Sequence, residues 1–190
     1  MPVKFMFENP QLKTWMLLHQ TFNGISKCED IVFAKAGLTT PQYIILMAIK
    51  YIKAPTTPSE ISQWTDRNVS TITMLVKRME KDRLVERIRV KRDRRFVEVV
   101  ATEKGKMLLD KATIIAWSLV QEILSVVSEE ELNSLDNILE RIRQKVFSYS
   151  SPNQVMGEIY VHEARNMKEL MARIRLEKEK QPLPNPYQIK

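Results

Sequence analysis

The stretch from Thr57 to Thr102 constrains the fold of this chain more than any other part of the sequence. It opens with a capping box, because Thr57 is followed by proline and then, three residues after the threonine, by Glu60. A short helix and a polar turn follow, and a second helix is expected to have Asn68 as its N-cap. Two β-branched runs come next, on either side of a basic segment. The predicted order is therefore helix, turn, helix and hairpin.

The second helix, predicted from Val69 to Asp82, has two faces of different character. Its apolar face is formed by side chains at helical spacing, namely Val69, Ile72, Leu75, Val76 and Met79. The opposite face carries Ser70, Thr71, Thr73, Met74, Lys77, Arg78 and Lys81. Short hydroxyl side chains let a helix approach base edges in a DNA groove, and cations neutralise phosphates. This face either contacts DNA or is an ordinary solvated surface, and the helix alone does not decide between the two.

The hairpin favours a polyanionic partner. Its strands are predicted from Leu84 to Val90 and from Phe96 to Ala101. The segment from Arg87 to Arg95 contains one acid, Asp93, and six basic residues: Arg87, Arg89, Lys91, Arg92, Arg94 and Arg95. Crowded cations repel one another unless an anion relieves the repulsion, although a solvated loop is the alternative. Asp93 is expected to brace the tip by pairing with a nearby arginine.

These residues resemble the winged helix-turn-helix domain of MarR-type transcriptional regulators. The recognition helix of that family has the form S-T-x-T-x-L-V-x-R-L-E, and residues 70–80 are STITMLVKRME. The wing of the family has the form D-x-R, followed six variable residues later by an apolar residue or alanine, then threonine and a helix. The matching residues here are Asp93-Arg94-Arg95 and then Ala101-Thr102-Glu103-Lys104-Gly105.

The resemblance implies a role for the matched residues. The second helix becomes the recognition helix, Arg95 the wing-tip arginine that enters the minor groove, and Asp93 the brace of the wing. The predicted DNA-binding residues are Ser70, Thr71, Thr73, Met74, Lys77, Arg78, Lys91, Arg92, Arg94 and Arg95. Arg83 departs from the family pattern, which usually has glycine there. Either Arg83 keeps a left-handed conformation, at a cost of about 1 kcal/mol, or the turn is reshaped.

Long amphipathic helices flank the predicted winged domain. An apolar seam predicts a first helix from Pro10 to Ala36. Thr40 is the predicted N-cap of the next helix, with Pro41 at its first position, and the segment from Gln42 to Ile52 is almost wholly apolar. That segment is expected to be the buried spine of the domain.

Two further helices are predicted after the hairpin. Thr102 begins one that ends near Val127, and Ser128 begins another that ends near Tyr149. Their apolar stripes cannot both be covered by a small winged domain, so they need a partner. The resemblance implies that this partner is a second copy of the chain, since MarR-type proteins are homodimers formed by their terminal helices. Two-fold symmetry then predicts a double-stranded DNA target with an inverted repeat, whose half-sites lie about one helical turn apart.

The chain is therefore predicted to be mainly α with a small β-wing, in four segments. Residues 1–36 form an N-terminal dimerisation helix, 37–102 the winged helix-turn-helix domain, and 103–150 the C-terminal dimerisation helices. Residues 151–190 form an additional helix and an extended tail. That additional helix either supports the dimer, covers a ligand site or is peripheral.

Charge and composition favour nucleic acid as the partner over catalysis. The net charge is +7, and the part from Thr56 to Phe96 has eleven Lys or Arg against six Asp or Glu. The sequence contains two histidines, one cysteine and no glycine-rich phosphate-binding motif, so we predict no enzyme activity, metal or cofactor. It also lacks a run of eighteen apolar residues and a signal peptide, which predicts a cytoplasmic protein without a membrane partner.

Two further alternatives concern function. Some MarR-type proteins sense oxidants through a cysteine near the N-terminus, which makes Cys28 a candidate redox sensor, although its place in an apolar-periodic helix favours packing. The resemblance implies a sequence-specific DNA-binding regulator, acting as a repressor that a small-molecule effector releases from its operator. The alternative is a winged-helix assembly or protein-interaction module with no operator.

Overall fold

The computed structural model describes residues 9–52, 55–65, 67–89, 97–150 and 172. The elements within them are α1 (Pro10–Ala36), α2 (Thr40–Tyr51), α3 (Pro58–Thr65), α4 (Val69–Lys81), β1 (Val85–Arg89), β2 (Val97–Ala101), α5 (Glu103–Leu124) and α6 (Glu129–Ser150). The predicted class, mainly α with a small β-wing, is confirmed. The predicted helix and tail after residue 150 lie outside the described residues, except for Ala172.

Capping boxes predicted from the sequence begin two of these helices. Before α3, the Thr57 amide donates to Glu60 Oε2 at 2.6 Å and the Glu60 amide donates to Thr57 Oγ1 at 3.3 Å. Ser128 and Glu131 exchange the same two hydrogen bonds before α6, and these bonds lower the pKa of Glu131. Thr102 is the N-cap of α5, as predicted. Local side-chain chemistry therefore sets these helix starts.

Two predicted helix boundaries are wrong. The N-cap of α2 is Thr39, not Thr40, because the Thr39 amide donates to Gln42 Oε1 at 2.9 Å and the Gln42 amide donates to Thr39 Oγ1 at 3.4 Å. A glutamine three residues after a threonine completes a capping box, and this outweighed the preference of proline for the first position. The second wrong boundary is the end of α5, which lies at Leu124 rather than near Val127. Between α5 and α6 the chain bends by 103°.

The hydrophobic core lies where α2, α3, α4 and the hairpin meet the end of α1 and the inner face of α5. Its buried apolar residues are Val32, Phe33, Ala36, Leu38, Ile45, Leu46, Ala48, Ile61, Ile72, Val76, Met79, Leu84, Val85, Val99, Leu109, Ala112 and Leu119. Three of them come from α2, so the predicted buried spine is present.

The wing is an antiparallel pair of strands, as predicted. In its register Val85 pairs with Ala101 and Arg89 pairs with Val97. The Val99 amide also donates to the carbonyl of Thr56 at 2.7 Å, so the segment before α3 is tied to the outer edge of β2. This bond holds the hairpin close to the start of the helix-turn-helix.

Most of α1 and all of α6 lie outside the core. No residue from Pro10 to Ile31 is buried, and neither is any described side chain of α6. Large apolar side chains of α1 are exposed instead, among them Leu12, Trp15, Phe22, Ile25 and Ile31. On α6 the exposed apolar side chains include Leu135, Ile138, Leu139 and Val146. The apolar stripes of α1, up to Ile31, and of α6 are therefore uncovered in one chain, whereas the predicted stripe of α5 is partly covered, with Ala112 and Leu119 buried in the core.

Candidate nucleic-acid interface

One face of α4 is in the core and the other is in solvent. Ile72, Val76 and Met79 are completely buried. Val69, which was predicted to belong to the apolar face, is 45% exposed, because it lies in the first turn, before the helix reaches the core. Asn68 is the predicted N-cap, but its side chain makes no capping hydrogen bond. The amide groups in the first turn of α4 therefore have no hydrogen bond from the Asn68 side chain.

The candidate DNA-contacting side chains of α4 differ in exposure. The exposed ones are Ser70, Met74, Lys77 and Arg78, and the half-buried ones are Thr71 and Thr73. The hydroxyl of Thr73 donates to the carbonyl of Val69 at 2.8 Å, so its proton is engaged while its oxygen can still accept a hydrogen bond. Arg78 Nη2 lies 3.9 Å from Met74 Sδ, which orients these two side chains along the same face.

Cations on and next to α4 differ in whether an acid neutralises them. Lys77, Lys81 and Arg83 form no ion pair within the described part of the chain. Arg87 does, because its Nε and Nη2 atoms lie 2.8 Å and 2.7 Å from Glu80 Oε2. Glu80 thus removes Arg87 from the unneutralised basic cluster predicted from the sequence, and this ion pair ties β1 to α4.

In the turn after α4, Arg83 adopts the left-handed conformation that usually favours glycine. Arg83 has a φ of +59°, and among the described residues no other non-glycine residue has a positive φ. The Leu84 amide donates to the carbonyl of Met79 at 2.9 Å and the Arg83 amide donates to that of Glu80 at 3.0 Å, which is the Schellman pattern. The first of the two alternatives for Arg83 is therefore correct, and its Cβ costs about 1 kcal/mol.

The start of α5 satisfies the carbonyl groups of this turn. Lys104 Nζ donates to the carbonyl of Asp82 at 2.9 Å. Thr102 donates twice, from its hydroxyl to the carbonyl of Arg83 at 2.7 Å and from its amide to that of Leu84 at 3.1 Å. Thr102 and Lys104 belong to the family motif found in the sequence, but the motif does not indicate what they contact. Their contacts show that α5 fixes the end of α4.

Gly105 allows this close approach. A Cβ added at Gly105 would lie 2.2 Å from the carbonyl oxygen of Leu84 and 3.2 Å from Leu46 Cδ2. The first distance is far below van der Waals contact with a backbone atom, so any side chain there would push α5 away from the turn.

The wing tip is not among the described residues. Lys91, Arg92, Asp93, Arg94 and Arg95 fall between the two described strands, so their roles stay predictions. Arg89 and Val97, the nearest described residues on either side, are register partners in the hairpin.

A second group of polar side chains lies where α1, α2 and α5 meet. Burial raises the pKa of Tyr43, an effect opposed by its hydrogen bond with Thr113 and reinforced by the charge of Glu29. Burial also raises the pKa of Glu29. The neighbouring Cys28 is half-buried and packs against the core. That contact agrees with the packing role, and the redox role of Cys28 stays a prediction.

Metal-ligating side chains in the described residues do not form a group of three or more that could hold an ion. No single helix in the described part of the chain combines the length and apolar character needed to cross a membrane. The consecutive pairs α1 with α2 and α5 with α6 meet that criterion only when each bent pair is taken together, and by length and composition alone.

Comparison with known proteins agrees with this geometry. A sequence model of the MarR family matches residues 36–95. The HTH-type transcriptional regulator PecS of Dickeya dadantii (strain 3937) is 30% identical over 122 residues, which covers 63% of this chain and 74% of PecS. The chain belongs to the MarR family. A second relative, the organic hydroperoxide resistance transcriptional regulator of Bacillus subtilis (strain 168), is 29% identical over 133 residues, covering 68% of this chain and 88% of that protein.

Solved structures show the same MarR-family fold. An organohalide-sensing transcriptional regulator in its 2,4-dichlorophenol-bound form has a TM-score of 0.67 and 18% identity, covering 80% of this chain and 94% of that one. A mutant of MarR from E. coli complexed with operator DNA has a TM-score of 0.62 and 20% identity, covering 70% and 96%. The two relatives named above are transcriptional regulators rather than enzymes. The protein is a MarR-family transcriptional regulator, as the sequence predicted.

Proposed function

We propose that this MarR-family regulator binds double-stranded operator DNA with α4 in the major groove. The observation that carries the proposal is the two-sidedness of α4: Ile72, Val76 and Met79 are completely buried, whereas Lys77 on the opposite face is exposed and has no acidic partner among the described residues. A helix held by its apolar side with free cations on its outer side fits a polyanionic groove.

Each outer side chain of α4 has a contact that suits its chemistry. Ser70, Thr71 and Thr73 lie near the start of the helix, where small hydroxyl groups permit close approach to base edges. The exposed side chain of Met74 suits an apolar contact such as the methyl group of thymine. Lys77 and Arg78 lie further along and suit phosphates. The positive end of the helix dipole also favours phosphate at the first turn.

The wing supplies the second part of the proposed interface. By family resemblance Arg95 enters the minor groove, and Lys91, Arg92 and Arg94 add to the basic tip near the DNA backbone. Asp93 braces the tip. The strand β1 that leads to this segment is tied to α4 by the ion pair of Arg87 with Glu80, which supports a role for both in one interface.

A second copy of the chain completes the proposed assembly. Exposed apolar side chains on α1 and α6 give each protomer a surface that another protomer can cover. Segments 1–36 and 103–150 would form this interface around a two-fold axis. Two copies of α4 then face one side of the duplex, about 34 Å apart, and contact an inverted repeat.

Release by an effector completes the proposal for a repressor. One relative is named as organohalide sensing and was solved with 2,4-dichlorophenol. In this chain we place an effector between the dimer helices and the winged domain, where Tyr43 and Glu29 lie. An effector that prefers one spacing of the two α4 helices shifts the population toward that spacing and away from DNA binding.

Salt-dependent titration of single variants tests the DNA interface. Operator fragments are first selected from the source genome with the parent protein. Lys77→Ala should weaken binding to all DNA sequences about equally and should lower the slope of log affinity against log salt concentration by about 1. Arg95→Ala should cost about 1 to 3 kcal/mol of binding free energy. Lys77→Arg keeps the charge at the same position of α4 and is the matched control. Its affinity should equal that of the parent.

Two outcomes would contradict the proposal. If Lys77→Ala and Arg95→Ala both bind as tightly as Lys77→Arg, α4 and the wing do not form the interface. If the parent binds every duplex equally, or none, the winged domain is better explained as an assembly or protein-interaction module.

A further inference from the structure

Polar contacts link α1 to the far end of α4 through the start of α2. Asp30 on α1 accepts a hydrogen bond from the hydroxyl of Thr40, at 2.5 Å. Two residues further on, Gln42 Nε2 donates to Asp82 Oδ2 at 3.1 Å. Asp82 is the C-cap of α4. None of these four residues belongs to the outer face of α4 described above, so this link is separate from the proposed DNA contacts.

Gln42 is engaged at both ends of its amide group. Its Oε1 accepts from the Thr39 amide in the capping box of α2, and its Nε2 donates to Asp82. The two bonds require the same orientation of the amide, because the reverse orientation would place a donor against the Thr39 N–H group. The Gln42 side chain therefore connects the first turn of α2 to the C-cap of α4.

Asp82 is placed where a carboxylate is otherwise unfavourable. The C-terminal end of a helix carries a partial negative charge, and a DNA surface adds the negative charge of phosphates. Donors from two elements compensate for this. Gln42 of α2 reaches the carboxylate, and Lys104 of α5 reaches the backbone carbonyl of the same residue at 2.9 Å. The position of Asp82 thus depends on α2 and α5 together.

We propose that Gln42 and Asp82 are positioning residues that set the tilt of α4 and, through it, the half-site spacing that the dimer accepts. α4 has 13 residues and is about 20 Å long. A tilt of about 10° about its C-terminal end moves its first turn by about 3.4 Å, which is about one base-pair step. A displacement of α1 reaches this contact through Asp30 and Thr40. The inference rests on the proposed function, because spacing matters only if both α4 helices bind one duplex.

Gln42→Glu is the sharpest single change. The carboxylate that it introduces keeps the capping box, since it still accepts from the Thr39 amide and favours the start of α2. Toward Asp82, however, it replaces a hydrogen bond with repulsion between like charges. We expect the dimer and its thermal midpoint to change little, while the preference for the best half-site spacing falls by about fivefold or more.

A second substitution should rescue the first. In Gln42→Glu/Asp82→Asn, the new amide donates to the new carboxylate, so the bond re-forms with its donor and acceptor exchanged. Asp82→Asn alone keeps an acceptor for Gln42 and should retain the spacing preference of the parent. Asp82→Ala removes the acceptor at an exposed position and should lose that preference, which gives an independent test if Gln42→Glu does not fold.

The measurement compares three duplexes that carry the selected operator with its own half-site spacing, or with one base pair more or fewer. Dissociation constants at one salt concentration give the ratio of best to altered spacing for each variant. A change in the charge of the protein affects all three duplexes alike and therefore cancels in this ratio. If Gln42 and Asp82 only stabilised the fold, their substitution would leave the ratio unchanged. Sedimentation and thermal melting verify that each variant is a folded dimer.

We expect Gln42→Glu and Asp82→Ala to lose the preference for the best half-site spacing. Asp82→Asn and the double variant should retain it. Parent-like ratios in Gln42→Glu and Asp82→Ala would overturn the inference, as would failure of the double variant to regain the ratio. A parent that binds the operator but does not distinguish the spacings would also overturn it. A parent that binds no duplex would overturn the proposed function, and this inference with it.

Discussion

The winged domain and the helices that flank it differ in where their partners come from. At the end of α4, Lys104 of α5 and Thr102, the N-cap of α5, donate hydrogen bonds to three successive carbonyl groups, those of Asp82, Arg83 and Leu84. Along α1 up to Ile31 no residue is buried, and large apolar side chains such as that of Phe22 face solvent. Both regions contain amphipathic helices of ordinary composition. Amphipathicity thus predicts that a face will be covered, but not whether the same chain covers it.

Gly105→Ala should have the largest effect, because it acts where α5 lies directly against the backbone of the turn after α4. Its Cβ would lie 2.2 Å from the backbone oxygen of Leu84, which cannot rotate away as a side chain can. We expect the free energy of unfolding to fall by about 3 kcal/mol or more, measured by denaturant titration.

Gly24→Ala is the matched control in the flanking region. A Cβ at Gly24 would meet nothing within 4 Å in one chain, so alanine should stabilise α1 by up to about 1 kcal/mol. A loss of stability in Gly24→Ala would show that another protomer packs closely there. A cost well below about 1 kcal/mol for Gly105→Ala would contradict the tight junction between α5 and the turn after α4.

Phe22→Ser should have the next largest effect, on assembly. The ring is 67% exposed in one chain, so the folded protomer should lose little. If a second protomer covers α1, the loss of an aromatic anchor should weaken the dimer by about 2 kcal/mol, or about thirtyfold in its dissociation constant, by sedimentation equilibrium. Ile88→Ser changes an apolar side chain of β1 that is 47% exposed, outside the flanking helices, and should leave the dimer intact. Equal dissociation constants for the two variants would remove α1 from the interface.

The sequence predicted much of the fold because many of its signals are local. The capping boxes at Thr57 and Ser128 and the helical spacing of Ile72, Val76 and Met79 each involve residues a few positions apart. Local signals fail where two of them compete, as for Thr39 and Thr40 before α2. They also fail at a helix end that the core does not reach, as for Val69.

The candidate site was less predictable, because some of its contacts join distant positions. The ion pair of Arg87 with Glu80 spans seven residues, and the bond between Gln42 and Asp82 spans forty. No periodic pattern encodes such contacts, so the sequence could nominate the side chains of α4 but not what holds α4 in place. The family match marked Lys104 for its place in a motif, whereas the structure shows that it donates to the end of α4.

The smallest effect that we predict comes from a difference between two helix ends. α1 and α4 end in the same Schellman pattern, with Gly37 at a φ of +87° after α1 and Arg83 at +59° after α4. Only a residue with a Cβ is strained in this conformation, although glycine loses more backbone freedom on folding. Arg83→Gly should therefore raise the free energy of unfolding by less than about 1 kcal/mol, and Gly37→Ala should lower it by about 1 kcal/mol.

Arg83→Lys separates backbone strain from charge, because it keeps both the Cβ and the cation and should leave stability unchanged. Denaturant midpoints of the three variants at one pH give the comparison. If Arg83→Gly destabilises the protein instead, the Arg83 side chain must contribute more by its contacts than its backbone loses by strain. The turn after α4 would then be held by that side chain as well as by the donors of α5. Opposite signs for Arg83→Gly and Gly37→Ala would show instead that one backbone geometry serves both helix ends, and that α4 keeps a strained residue where α1 does not.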